Sequence, residues 1–185
     1  MQTLDHYIRV FDNVLSESTC DSILQEYGGS DEWVPAVVDK GRVDTSFRNV
    51  MAIAMSSARV IAKHKEVRGV LDAEIFAAAG KVVDAYSELI PCPIQNDSGY
   101  DLLRYGEGGF YKTHVDSSTG FLRTLSCSFI LNDDYEGGEW EFFNGALKLK
   151  PPKGSAIAFP STFLYPHGIT PITKGTRFSI VTWFT

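Results

Sequence analysis

The sequence predicts an α+β, mainly β fold: a double-stranded β-helix, or jelly-roll, barrel with supporting N-terminal helices. Two observations predict it. After Pro93, short runs rich in aromatic and β-branched side chains alternate with glycine-bearing turns, the pattern of successive antiparallel strands. Before it, two stretches carry helical periodicity instead. The 185 residues hold no internal repeat and no low-complexity linker, so the chain reads as a single domain over 1–185. Within it, residues 1–96 supply helices and supporting strands, and residues 97–185 the strand-rich core.

Tyr7 to Phe11 reads as a short strand. Ser16 or Ser18 then caps a helix over Glu17 to Tyr27, which Gly28-Gly29 ends. Arg48 to Met55 reads as one strand. The strongest helix runs from Glu66 to Leu89, with Val67, Val70, Leu71, Ile75, Ala78, Val82, Tyr86 and Leu89 as its apolar stripe. Pro91 and Pro93 stop it. The strand runs beyond are Tyr100–Tyr105, Phe110–Asp116, Thr124–Leu131, Gly138–Phe143, Ala146–Leu149, Ser155–Phe159 and Arg177–Phe184. Asn144-Gly145 marks a hairpin, because both residues tolerate positive φ.

A formal charge of -6 and a pI near 5.2 argue against a general affinity for nucleic acid or anionic membrane. Cys20, Cys92 and Cys127 are scattered and odd in number, as expected of reduced thiols. The first residues lack an apolar signal core, and no run approaches a membrane span. These features predict a cytoplasmic protein.

The chemistry concentrates in His114-Val115-Asp116, His167 and Arg177. In a strand His114 and Asp116 project from one face, and a distant second imidazole completes a 2-His-1-carboxylate set. Such a set leaves one side of a first-row metal open, as suits non-haem Fe(II) chemistry rather than a closed structural site. His6 and His64 lack comparable company and read as surface residues. With period two, Arg177, Ser179, Val181 and Trp183 share the cavity face of the last strand, and Phe178, Ile180, Thr182 and Phe184 the apolar one. An inward arginine needs a buried anion, either a ligand carboxylate or an Asp or Glu of the chain. Thr124, Ser126, Ser128 and Ile130 likewise oppose Leu125, Cys127, Phe129 and Leu131, so Ser126 can hydrogen-bond a carboxylate.

Four segments carry a resemblance: Tyr105 to Asp116, Leu131 to Glu139, Pro160 to His167, and Thr170 to Trp183. Leu103–Phe184 resembles the catalytic core of the Fe(II)/2-oxoglutarate-dependent dioxygenases, in particular the prolyl 4-hydroxylase-like group. The last two segments are similar to PKHD-type hydroxylases, and the compact length to virus-encoded prolyl hydroxylases. The resemblance implies His114, Asp116 and His167 as iron ligands. It implies Arg177 and Tyr105 on the far carboxylate of 2-oxoglutarate, and Trp183, Arg123 and Tyr111 on the substrate side. Arg123 has the parity of the apolar strand face, and Ile130 stands where many relatives have a tyrosine, which leaves Ser126 or Thr124 to supply that hydrogen bond. The implied activity is prolyl 4-hydroxylation of a peptide or protein with Fe(II), 2-oxoglutarate and O2, releasing succinate and CO2, with ascorbate as a further cofactor. The loops Val37–Phe47 and Ser117–Leu122 are placed to close over an extended peptide. Alternatives are oxidation of another residue or of a nucleobase, or a non-catalytic metal-binding jelly-roll module. Trp183 occupies the place where nucleic-acid demethylases carry a second arginine, which disfavours the nucleobase.

Overall fold

Antiparallel pairing gathers the strands into two opposed sheets. The computed structural model describes residues 3–38, 41–90, 94, 96–118, 120 and 122–185. Its helices are α1 (Glu17–Tyr27), α2 (Ala58–Lys63) and α3 (Lys65–Leu89). The early strands are β1 (Arg9–Phe11), β2 (Val34–Pro35), β3 (Val37–Val38), β4 (Arg42–Val43), β5 (Arg48–Asn49) and β6 (Met51–Ala54). Then follow β7 (Asp101–Tyr105), β8 (Phe110–His114), β9 (Leu125–Ile130), β10 (Glu136–Gly137), β11 (Trp140–Phe142) and β12 (Leu147–Leu149). The last are β13 (Ala156–Pro160), β14 (His167–Ile169), β15 (Ile172–Lys174) and β16 (Arg177–Phe184).

A seven-stranded sheet runs β1-β13-β9-β16-β7-β6-β2 and a five-stranded sheet runs β12-β11-β14-β8-β5. Two ribbons, β10–β15 and β3–β4, flank them. The molecule is thus mostly β with few helices, as expected.

Two cores follow from strand alternation. On one face of the large sheet, Phe129, Ile180, Ala156 and Ala158 pack with Ile23, Ile75 and Val82 of the helices. Ala156 and Ala158 are fully buried and small, which lets α3 lie close. On the other face, Leu103, Tyr105, Ile157 and Val181 meet Trp140, Phe142 and Ile169 of the small sheet. Because both faces are covered, all six residues of β9 are buried. The functional cavity belongs to the second, inter-sheet core.

The helix over Glu17–Tyr27 forms as expected, with the Ser16 hydroxyl accepting from the Thr19 N–H at 3.0 Å. The Asn144-Gly145 hairpin also forms: Phe143, Asn144 and Gly145 all take positive φ, and β11 pairs with β12. Several expectations need correction. Arg48–Met55 is two strands in different sheets, since β5 pairs with β8 and β6 with β7. Tyr7 belongs to a 3-10 turn, and only Arg9–Phe11 is strand. Gly138–Phe143 narrows to β11, and Gly137 joins β15 instead. α2, β14 and β15 carry too few residues for a periodic pattern and escaped notice.

On α3, Leu71, Ile75, Ala78, Val82 and Tyr86 are buried, but Val67 and Val70 are exposed. Arg68 is buried in their place. Its Nε donates to Glu26 and its Nη1 to Glu32 and the Val60 carbonyl, each at 2.6 Å, so two carboxylates neutralise it where a valine would take away their shared cation. α3 ends at Leu89, and the proposed stop at Pro91 and Pro93 lies outside the described residues, as does Cys92. Cys20 and Cys127 are free and buried. His64 is exposed against Glu26 at 2.6 Å, whereas His6 is half-buried, with an Nε2 that finds no partner among the described residues. No helix among the described residues is long and apolar enough to cross a membrane.

Candidate metal centre and its cavity

His114 closes β8, and His167 opens β14, directly opposite it in the antiparallel register. Cross-strand pairing, which brings side chains within touching distance, thus joins imidazoles 53 positions apart in sequence (167 minus 114). Their rings lie 4.3 Å apart. Asp116 sits beyond the end of β8, not on it. The strand-alternation argument for the His-x-Asp pair is therefore wrong in mechanism, and a turn brings the carboxylate back between the imidazoles. His114 Nε2 lies 3.5 Å from Asp116 Oδ1, and His167 Nε2 lies 3.5 Å from Oδ2. One ligand atom from each residue falls within 4.8 Å of the others, the one such group found among the described residues. Gly168, beside His167, is required by a close approach, because a Cβ there would lie 2.7 Å from the Tyr111 carbonyl on β8.

The ring nitrogens are oriented for coordination. His114 Nδ1 faces the Lys112 carbonyl at 2.9 Å and His167 Nδ1 the Tyr165 carbonyl at 3.0 Å. A carbonyl only accepts, so each Nδ1 carries a proton, which leaves Nε2 of either ring as the atom that turns a lone pair toward Asp116 for coordination. Burial, opposed by Asp116, brings His167 down to about 4, so it is neutral at physiological pH. Burial pushes Asp116 up, but the two histidines and Ser126 outweigh it and hold the carboxyl below the usual carboxylate range. Two lone pairs facing a carboxylate repel unless a cation lies between them. The donor set fits a divalent metal ion, with second-sphere hydrogen bonds already in place.

The centre opens into a cavity of about 750 Å³ between the sheets. Arg177, only 1% exposed, lies on its wall. Its Nη1 donates to the Ser179 hydroxyl at 2.9 Å, while Nε and Nη2 find no partner among the described residues. Its guanidinium carbon lies 5.0 Å from the Tyr105 ring and 5.8 Å from Trp140. The Tyr135 phenol also lies against it, but no salt bridge to Asp or Glu forms among the described residues, so its charge is left for an anion other than the chain's own carboxylates. Tyr105 is its register partner on β7, and burial raises the phenol above its ordinary value, against the pull of Arg177. It is a neutral donor.

The period-two reading of β16 holds: Arg177, Ser179, Val181 and Trp183 line the cavity, while Ile180 and Phe184 face the helices. Ser126 does not line it. Its hydroxyl lies 2.7 Å from both Asp116 Oδ2 and the Ser161 hydroxyl, so the cavity-facing hydroxyls are instead Ser128 and Ser179. Arg123 precedes β9, which frees it from the strand parity expected of it, and it reaches the cavity. Its guanidinium stacks 3.7 Å over Trp183, and its Nη1 donates to the Asp116 carbonyl at 3.1 Å. Tyr111 stacks 3.6 Å from His114, and burial pushes its phenol up to about 12. The Val37–Phe47 segment is no irregular loop, since β3 and β4 make a small hairpin whose Val37 and Arg42 face the cavity. Ser117 and Ser118 line it from the other expected loop. Sequence reasoning passed over Arg48 and Asp101, which also line it, although Asp101 has the parity of Tyr105 on β7.

Comparison with known proteins agrees with this geometry. The profile of the 2OG-Fe(II) oxygenase superfamily matches residues 100–185. A PKHD-type hydroxylase of Picosynechococcus is 42% identical over 86 residues, covering 43% of this chain and 38% of that protein. PKHD-type hydroxylase YbiX of Escherichia coli O1:K1 is 30% identical over 165 residues, covering 82% of this chain and 67% of that protein. The matches thus span about 38–40% of several curated relatives and two thirds of another. A Trichoplax adhaerens prolyl hydroxylase, solved with a hypoxia inducible factor peptide fragment, superposes with a TM-score of 0.74 at 17% identity, over 96% of this chain and 83% of that one. The viral collagen prolyl hydroxylase of Paramecium Bursaria Chlorella virus-1 superposes with a TM-score of 0.71 at 19% identity, over 99% and 98%. At such identities the likeness concerns the fold. The chain belongs to the 2OG-Fe(II) oxygenase superfamily, among its PKHD-type, prolyl hydroxylase-like members.

Proposed function

We propose that this chain is an Fe(II)- and 2-oxoglutarate-dependent hydroxylase of a peptide or protein, with a prolyl residue as its target and 4-hydroxylation as its outcome. The observation that carries the reading is the buried Arg177 guanidinium, with Nε and Nη2 unpartnered, in the same cavity as the His114–Asp116–His167 donor set. In this reading residues 97–185 form a double-stranded β-helix core. Residues 1–96 support it and supply β5 and β6 to its two sheets.

Ferrous iron with 2-oxoglutarate and O2 supplies the oxidising power for C–H hydroxylation, leaving succinate and CO2. The chain's own residues bind and orient. His114, Asp116 and His167 would hold the metal. Arg177 and the neutral Tyr105 phenol grip the far carboxylate of 2-oxoglutarate, and a guanidinium-carboxylate contact is the strong, directional one. Trp140 and Ile169 keep that end of the cavity apolar, which excludes water and strengthens the grip. Trp183, Arg123 and Tyr111 lie on the substrate side. The peptide-bound Trichoplax structure supports a peptide in this position.

The test is an assay of succinate from 2-oxoglutarate with Fe(II), O2 and ascorbate over a panel of proline-bearing peptides. Peptide-stimulated succinate and one added oxygen on a proline are expected. Metal binding without any turnover, with every peptide, would reduce the protein to a metal-binding module.

A further inference from the structure

Asp101 is the one cavity-lining carboxylate on β7, where it shares a face with Leu103 and Tyr105. Its register partner on β16 is Val181, as Tyr105's is Arg177. The paired strands therefore carry the arginine and tyrosine at one end of the cavity wall and Asp101 four positions away along β7, roughly 13 Å at a strand's rise per residue. A site built for an anion at one end has a fixed acceptor at the other.

That acceptor is held by nothing close at hand. Among the described residues no hydrogen bond or ion pair within 4 Å reaches its carboxylate. The guanidiniums of Arg48 and Arg123 act on it from the same cavity, but neither comes within hydrogen-bond or ion-pair distance, although Arg48 Nε has no partner among the described residues. Arg48 Nη1 donates to the Val37 carbonyl at 2.7 Å and its guanidinium carbon lies 4.6 Å from the Tyr111 ring. Arg123 lies over Trp183 and donates to the Asp116 carbonyl. Burial raises the Asp101 carboxyl in spite of both arginines. Its oxygens open to the cavity, where a ligand that brings a donor can reach them.

The geometry points to Asp101 as the specificity-determining acceptor for a backbone amide N–H of an extended peptide substrate, setting its register over the metal. A neutral amide suits the place better than a cation, because Arg48 and Arg123 would repel an ammonium brought to Asp101 but welcome the carbonyl beside an amide N–H. Proline has no N–H, so the donor belongs to a residue flanking the hydroxylated one. The inference rests on the peptide-hydroxylase reading above and adds which atom of the peptide is recognised.

The test is a cycle of protein and peptide variants. Anaerobic protein holding Fe(II) and 2-oxoglutarate is titrated calorimetrically with a capped Pro-Ala-Gly repeat peptide, and with copies N-methylated at every alanine or every glycine. Wild type is expected to bind one methylated copy about tenfold more weakly than the parent, the loss of one charge-assisted hydrogen bond. Asp101→Ala should bind that copy and the parent alike, and Asp101→Asn, which keeps an acceptor oxygen, should retain most of the discrimination. Equal discrimination in wild type and Asp101→Ala overturns the inference. So does an Asp101→Asn variant as indifferent as the alanine, which would assign the carboxylate to a cation. Binding of all three peptides without discrimination sinks the role of Asp101 alone, whereas failure of wild type to bind any of them sinks the peptide reading itself.

Discussion

The Ser126 hydroxyl donates to Asp116 Oδ2 at 2.7 Å, the oxygen that faces His167 Nε2 at 3.5 Å. The carboxylate therefore arrives at the candidate centre already oriented from behind. Loss of such a hydrogen bond in a metal site lowers affinity by about 10–100-fold. Ser126→Ala is expected to weaken Fe(II) or Co(II) binding by that factor, measured by anaerobic titration of the metal's absorption. Unchanged affinity would show that Asp116 needs no brace.

Asp116→Ala removes the only negative donor between two imidazoles and is expected to abolish both metal binding and 2-oxoglutarate turnover. His114→Ala should do the same. Full turnover in either variant would remove that residue from the ligand set.

Arg177→Met should separate the metal from the co-substrate. With the guanidinium gone, the 2-oxoglutarate requirement is expected to rise by about a hundredfold, the worth of one or two charge-assisted hydrogen bonds. Metal affinity should stay as it was. The ligand-free protein should also melt at a higher temperature, because a buried cation with unpartnered nitrogens destabilises the empty fold. A lower melting temperature would mean that the cation is satisfied by groups of the chain.

Gly138→Ala probes the same arginine from its other side. Gly138 has φ +64, and a Cβ there would press on Ile172 and lie 3.1 Å from Arg177 Cδ. Backbone strain and a displaced guanidinium are expected together, with 2-oxoglutarate affinity falling more than metal affinity. Equal losses of both would place the damage in the fold instead.

Acid should act on the helical layer through Glu26 and Glu32, below the range in which the buried, neutral His167 already resists it. Burial pushes Glu32 and Glu26 up, but the hydrogen bonds from Arg68 outweigh it and leave both below their ordinary 4.5. A carboxyl depressed in the folded chain contributes stability above its unfolded pKa and loses it as pH falls through the folded one. Thermal melts should therefore lose the contribution of these two carboxyls below about pH 4.5, beneath a decline from about pH 6.5 that comes from His167. Arg68→Met should cost about 3–5 kcal/mol at neutral pH, by leaving Glu26 to His64 and Glu32 to Lys63 and Ser30, and should flatten that slope. An unaltered acid profile in Arg68→Met would remove these glutamates from the account.

Much of this was legible in the sequence where a local rule governed. Ser16 capped α1, Asn144-Gly145 made its hairpin, and period two sorted β16 into a cavity face and a helix face without error. His114, Asp116 and His167 were found by order and residue type, although the reason offered for the first pair was wrong, because β8 stops at His114. What escaped was set by tertiary context. Nothing local tells that Val50 separates strands of two sheets, or that Arg68 goes inward because Glu26 and Glu32 wait there. Ser126 and Ser128 look equivalent by parity, and only the turn that returns Asp116 gives one to the carboxylate and leaves the other in the cavity. Asp101 was readable from its parity with Tyr105, but a lone aspartate in a strand draws little notice.

The crossing between β5 and β6 carries a mechanical consequence. Consecutive residues on either side of Val50 are stitched into opposite walls of the cavity, and the Val50 carbonyl is itself held by the Ala36 N–H at 2.9 Å. On that flank the walls behave like the spine of a book: they are bound edge to edge by one peptide and cannot part without tearing it. The β3–β4 hairpin and Trp183 line the space between those covers.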